Sequence, residues 1–192
     1  MKRNPGQVTG LASPFLESMR IEKITRYVKG GDILDFGCGN GKFSELISFD
    51  TYSGVDVNSK VIDYAKKRYS GIHNVRFYSI TEFESQSKQY DCIILTAVIE
   101  HLKEPLILLK ILKNKLRGNG KIIITSPTHL GNGLLRYGAK IGLFSSSAFE
   151  EHIHIFSKQD FLTIAQELNL KICKYETFEF GLNQLVVLSH AQ

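Results

Sequence analysis

Residues 90–98, YDCIILTAV, form an apolar run with almost no polar face to turn toward water. Strands covered on both sides read this way, because neither side of the pleat meets solvent. A second such run, KIIITS (121–126), follows a segment in which Leu106, Leu109, Leu112 and Leu116 recur at helical spacing. Two covered strands joined through a helix imply a parallel sheet with helices packed above and below it.

The alternation extends over the whole chain. An amphipathic segment near Phe15 to Val28 precedes DILDF (32–36), and Phe43, Leu46 and Ile47 predict a helix after the glycines that follow. YSGVDV (52–57) reads as a short buried strand. Asn58 or Ser59 caps the next helix, where Ile62, Ala65 and Tyr69 share a face. NVRFYSI (74–80) alternates as a strand, and TEFESQSKQ reads as a polar connection. Pro105 suits a first helical turn, and GNG (118–120) is expected to end that helix. Ser157 and Asp160 have the spacing of a capping box ahead of Phe161, Ile164, Ala165 and Leu168. LKICKYETF and NQLVVLS flank EFGL as an antiparallel hairpin. The expected fold is an open, doubly wound, mainly parallel α/β sheet. Its ligand belongs at the carboxyl ends of the central strands.

A chain of 192 residues with 43% hydrophobic content can bury one full core, so a single domain is expected. The net charge is +5, but the basic residues are scattered. The densest groups, Lys66–Lys67–Arg68 and Lys110, Lys113, Lys115 and Arg117, read as solvated helix faces. Nucleic acid is therefore not the expected partner. Cys38, Cys92 and Cys173 form no CxxC pair, which points to free thiols in a reducing compartment. No apolar stretch approaches the roughly 18 residues of a membrane span, and no secretory signal opens the chain. The cytoplasm is the expected location.

Gly37, Gly39 and Gly41 stand in the turn after the first strand. A backbone this bare takes strained angles and lets a ligand approach amide groups closely. Asp35 narrows the choice of ligand, because a carboxylate beside the loop repels a pyrophosphate and attracts an ammonium. Asp56 ends the second strand, 15 residues after Gly41, where a carboxylate accepts both hydroxyls of a ribose. Val57 then offers an apolar platform for a base. A nicotinamide dinucleotide is disfavoured, since the GxGxG pattern lacks the later GxxG spacing.

DILDFGCGNGKF, YSGVDVN, YDCIILTAVIEHLKEP and GNGKIIITSPT resemble, in that order, the successive motifs of the Rossmann-like S-adenosylmethionine-dependent methyltransferases. The resemblance covers about residues 30 to 128. It implies a seven-stranded sheet of order 3-2-1-4-5-7-6 with the last strand antiparallel, and S-adenosyl-L-methionine as cofactor. Carried onto this chain, it places Asp35, Phe36, Gly37, Cys38 and Gly39 around the methionine moiety and Asp56 on the ribose, with Val57 under the adenine. Ser79, Ile80 and Thr81 border the adenine, while Thr96, Ala97 and His101 line the methionine side. Many relatives carry an aspartate near Ser79, and this chain does not; the backbone amide of Ile80 is the expected substitute. The implied division is an N-terminal helical lid (1–29), a cofactor-binding core (30–126), a substrate-side insertion (127–156), and a final helix with hairpin (157–192).

A sulfonium methyl is already attached to a good leaving group, so alignment and exclusion of water do most of the work. A base assists when the acceptor is a hydroxyl. The candidate bases are His101 in VIEHL and His152 and His154 in FEEHIHIFS. With Glu100, Glu150 and Glu151 these histidines also resemble the carboxylate–imidazole metal site of methyltransferases that modify RNA 3′ ends. The position of that site's second glutamate is here Ala97, and no metal is expected. Leu134, Leu135, Tyr137, Ile141, Leu143 and Phe144 in the insertion either wall an acceptor pocket or cover the sheet edge. The expected activity is methyl transfer, O-directed, to a small or medium-sized metabolite, lipid precursor or glycan. RNA or protein acceptors, and a non-catalytic cofactor-binding module, are the alternatives.

Overall fold

The computed structural model describes residues 13–133 and 153–191, with side chains from residue 18 onward. Seven strands form one sheet in the order β3-β2-β1-β4-β5-β7-β6. They are β1 (Asp32–Phe36), β2 (Thr51–Asp56), β3 (Val75–Ser79), β4 (Tyr90–Thr96), β5 (Leu116–Pro127), β6 (Leu170–Phe178) and β7 (Asn183–His190). β1 pairs in parallel with β2 and β4, β2 with β3, and β4 with β5. β7 runs antiparallel between β5 and β6, which gives the architecture expected above.

Each buried strand feeds two cores by alternation. Leu34, Phe36, Ile93, Leu95, Ile122 and Ile124 face one side. There they meet Leu109 and Leu112 of α4 (Pro105–Asn114) and Phe161 and Ile164 of α5 (Lys158–Glu167). Ile33, Tyr52, Ile94 and Ile123 face the other side. They pack against Ile24 of α1 (Ser13–Thr25) and against Ile62 and Ala65 of α2 (Ser59–Arg68). Asn58 caps α2 by accepting from the Lys60 amide at 3.1 Å, and Ser157 and Asp160 close the capping box of α5.

Three local expectations need correction. The helix predicted around Phe43, Leu46 and Ile47 is only a 3-10 turn, Lys42–Glu45. The reason is reach: the amide of Asp50 donates to Gly31 O at 2.8 Å, so nine residues must travel back along the whole of β1. Five strand residues span about 16 Å, and nine helical residues rise only about 14 Å with none left for a loop. The stretch read as a polar connection holds a short helix, α3 (Ile80–Glu84), which buries Phe83 and is closed by a Ser79–Glu82 capping box. GNG (118–120) lies inside β5 and does not end α4. Between the pairs Tyr90↔Leu116 and Cys92↔Lys121 the register shifts, so these glycines form a bulge at the start of the strand.

Candidate functional site

The chain leaves β1 at Phe36 and turns through Gly37, Gly39 and Gly41, with φ of 83°, 53° and 78°. The amides of Gly37 and Cys38 donate to Val55 O at 2.7 and 3.0 Å, which ties the turn to the end of β2. A Cβ at Gly37 would overlap Val98, and one at Gly41 would overlap Phe77. Nothing lies within 4 Å of the Cβ direction of Gly39, so the open side of the loop is at its middle. Phe36 points away from it into the core, edge-on to Phe83, and Cys38 is buried.

Asp35 lies beneath this loop, 3% exposed, and its Oδ2 accepts from the Tyr52 hydroxyl at 2.5 Å. Burial pushes its carboxyl up to about 7, against the pull of the Tyr52 hydroxyl and with a further push from Asp56. Sequence reasoning missed Tyr52. The available signal was a tyrosine in a covered strand, whose hydroxyl needs a partner.

Asp56 stands at the mouth of the loop. Its Oδ2 accepts from the Gly39 amide and its Oδ1 from the Asn58 amide, both at 2.9 Å. A carboxylate offers about four lone-pair sites, so each oxygen keeps capacity for another donor. Val57 beside it is 82% exposed, a large apolar side chain facing outward at the end of a strand. Across β3, the Ser79 side chain caps α3, Ile80 is half-buried against the core, and Thr81 is exposed. The Ile80 amide is at the first helical position, where no carbonyl within the helix reaches it.

After β4 the chain turns at Ala97, a non-glycine residue in the left-handed region (φ 53°), with its amide donating to Thr125 O at 3.0 Å. Such a conformation persists where the surroundings over-determine it, and it often marks a functional turn. A 3-10 turn, Ile99–His101, follows, with the His101 amide on Val98 O at 3.0 Å. Burial holds the Glu100 carboxyl above the usual range, while its own backbone amide, His101 and Arg20 pull it down. The Glu100 carbonyl accepts from the amides of Ile153 and His154 at 2.9 and 3.1 Å, so the segment from Ile153 onward lies against this turn. The His154 ring lies 3.4 Å from Lys103 O and 5.8 Å from the Phe156 ring, facing a groove of about 290 Å³ between α4 and α5. None of the groove's lining residues belongs to the glycine loop or the end of β2. His152, Glu150, Glu151 and the six apolar residues from Leu134 to Phe144 fall outside the described residues. Among the described residues, no three histidine, cysteine, aspartate or glutamate side chains converge as a metal site.

A methyltransferase domain model matches residues 16–175, most of the chain. The chain belongs to the Rossmann-like S-adenosylmethionine-dependent methyltransferases. Within that family it is 26% identical over 172 residues to the ribosomal protein L11 methyltransferase of Dictyoglomus turgidum, covering 85% of this chain and 54% of that protein. It is 25% identical over 119 residues to the ubiquinone biosynthesis O-methyltransferase of Coxiella burnetii, covering 58% and 51% respectively. The chain thus spans about half the length of these curated relatives. Among solved structures, the magnesium protoporphyrin IX methyltransferase of Synechocystis, crystallised with bound SAH, superposes with a TM-score of 0.70 at 16% identity. That alignment covers 97% of this chain and 90% of the other, and it shows the shared fold.

Proposed function

We propose that this methyltransferase-family chain moves a methyl group from S-adenosylmethionine to an oxygen of a small or medium-sized acceptor, a metabolite, lipid precursor or glycan. One conjunction carries the reading. The open middle of the glycine loop at Gly39 lies between a buried acid, Asp35, and a second carboxylate, Asp56, with exposed Val57 beside it. A pyrophosphate gains nothing from two acids; an ammonium and a ribose gain from both.

Asp56 has lone pairs left for ribose hydroxyls, and Gly37, Cys38 and Gly39 present backbone to the amino-acid end. Val57, Ser79, Ile80 and Thr81 flank the base, and the Ile80 amide donates where relatives use an acid. Thr96, Ala97 and His101 line the methionine side. The bound cofactor supplies a methyl group on a positively charged sulfur. The chain's part is to hold the acceptor in line and keep water out, worth about 7–11 kcal/mol when alignment is complete. His101 is the candidate base on the 3-10 turn after β4, a turn that the Glu100 carbonyl ties to Ile153 and His154. The contacts of His154 with Lys103 and Phe156 support a structural role for that ring. We assign residues 1–29 as a lid and 127–156 as the acceptor-side segment. No described helix is long and apolar enough to cross a membrane, which fits a cytoplasmic site of action.

The names of the Coxiella relative and of a malonyl-[acyl-carrier protein] O-methyltransferase of Paenibacillus, 26% identical over 137 residues, favour oxygen. The L11 relative's name makes a protein acceptor the second reading. A screen of phenols, fatty acids, sugars, tRNA and peptides, read by release of S-adenosylhomocysteine, separates them. Turnover of a small hydroxyl or carboxyl acceptor is expected. Turnover of peptides or tRNA alone overturns the acceptor assignment, and tight cofactor binding without any turnover means a non-catalytic module.

A further inference from the structure

Tyr52 puts a hydroxyl into a core that is otherwise largely apolar. It stands near the start of β2, 0% exposed, in the cluster that holds Ile33, Phe77, Cys92 and Ile94. Two rings confine it: Phe49 at 5.5 Å between centroids, and Phe77 edge-on at 5.9 Å. The hydroxyl at the end of so confined a ring has little choice of partner, and it donates to Asp35 Oδ2 at 2.5 Å. A phenylalanine would bury the same ring and need no partner, so packing alone does not account for the oxygen.

Strand register explains why the donor comes from this position. Asp35 lies opposite Gly54, and Ile33 lies opposite Tyr52. Gly54 has no side chain to offer, and a Cβ there would run into the Phe77 ring and Cys38 Sγ. The next residue on the same face of β2 is Tyr52, whose long side chain spans one pleat to reach Asp35. Asp35 is thus held from the core side, beneath the glycine loop, through one of its two oxygens. A carboxylate offers about four lone-pair sites, so this bond leaves capacity for another donor. Among the described residues, the groups that act on Asp35 are Tyr52 and Asp56, and Asp35 acts in turn on Cys38 in the loop and Cys92 of β4. None of these carries a positive charge.

We propose that Tyr52 is a positioning residue for the cofactor: its hydroxyl fixes Asp35, from the core side, in the orientation that receives the ammonium group of the methionine moiety. The inference rests on the cofactor reading above and adds to it a residue that acts only through Asp35. Its consequence is a coupling between binding and protonation. Burial pushes the Asp35 carboxyl up to about 7, so below that pH the free protein carries a proton there. An arriving ammonium favours the ionised form and expels that proton. Tyr52 works in the same direction, since its bond favours the charged carboxylate. Tyr52, Cys38 and Cys92 do not compete for the proton in this range, because burial raises all three. Without the hydroxyl, the carboxyl should keep its proton to higher pH, and the cofactor should bind more weakly wherever that proton is still on.

The test is calorimetric titration of S-adenosylhomocysteine into the full chain between about pH 6 and pH 9, in buffers of different ionisation enthalpy. Tyr52→Phe is the informative substitution, because it keeps the ring between Phe49 and Phe77. Its affinity should fall about tenfold below wild type at about pH 6, the size of one lost bond to a charged group, and lie within about twofold at about pH 9. In the wild type, binding should release about one proton per ligand at the lower pH, and Asp35→Asn should release none. A merely structural Tyr52 would give a deficit that is the same at every pH. That result, equal affinity of Tyr52→Phe and wild type at the lower pH, or no proton released from the wild type there, overturns the proposal. The proton count needs no substitution, so it decides the matter even where Tyr52→Phe folds poorly. A flat titration of the wild type at every pH overturns the cofactor reading itself.

Discussion

Gly37, Gly39 and Gly41 share a left-handed backbone but differ in what surrounds them, and the difference separates folding from binding. At Gly41 an added methyl would press into the Phe77 ring, whereas at Gly39 it meets open space. Gly41→Ala should therefore lose the left-handed penalty plus an overpacking term, about 2–4 kcal/mol by urea denaturation. Gly39→Ala should lose only about 1–2 kcal/mol while weakening cofactor binding. Asp35 makes a second prediction. Its folded form keeps a proton up to about pH 7, whereas an unfolded aspartate ionises near 4, so this group's contribution to stability falls as pH rises through that window. Relative to Asp35→Asn, the wild type should lose as much as about 4 kcal/mol between pH 4 and pH 8, measured by urea midpoints at each pH. A constant gap between the two proteins would show that Asp35 is ionised in the fold.

At the scale of elements, helix ends are secured by side chains that the sequence displays openly. Ser157 accepts from the Asp160 amide at 3.3 Å, and Asp160 returns a bond to the Ser157 amide at 2.7 Å. Ser157→Ala should cost about 1 kcal/mol in the urea midpoint with no change in cofactor affinity. The strands were readable for the same reason: continuous apolar runs such as YDCIILTAV have only one use in a sheet covered on both faces. What escaped sequence reading was decided by distance. The turn at Lys42–Glu45 carries helical periodicity at Phe43, Leu46 and Ile47, but the chain must travel back along β1, and Leu46 is left 45% exposed. Ser79 and Glu82 already had capping-box spacing. With only Phe83 to bury, five residues of α3 lack the periodicity that makes a helix legible.

For the molecule as a whole, the β6–β7 hairpin does more than close the sheet. Buried Gln184 donates to Ser126 Oγ, Pro127 O and Phe156 O at 3.2, 3.1 and 2.6 Å, and accepts from the Tyr175 hydroxyl at 2.9 Å. One side chain thus joins β5, β6, β7 and the approach to α5. Gln184→Leu should destabilise the protein by about 2–4 kcal/mol, because it strands several buried polar partners at once. The glycine turn and the acids near the strand ends were legible in sequence because their spacing is local. Tyr52 and Asp35, on neighbouring strands, meet only because β2 pairs with β1. The central claim is that the Gly39–Asp56 crevice is a nucleoside site built around two acids. Calorimetric titration of S-adenosylhomocysteine into the wild type and Asp56→Ala addresses it most directly. One binding site is predicted, weakened by about ten- to a hundredfold in the variant as bonds to a charged acceptor are lost. No binding, or equal affinity in both proteins, would contradict it.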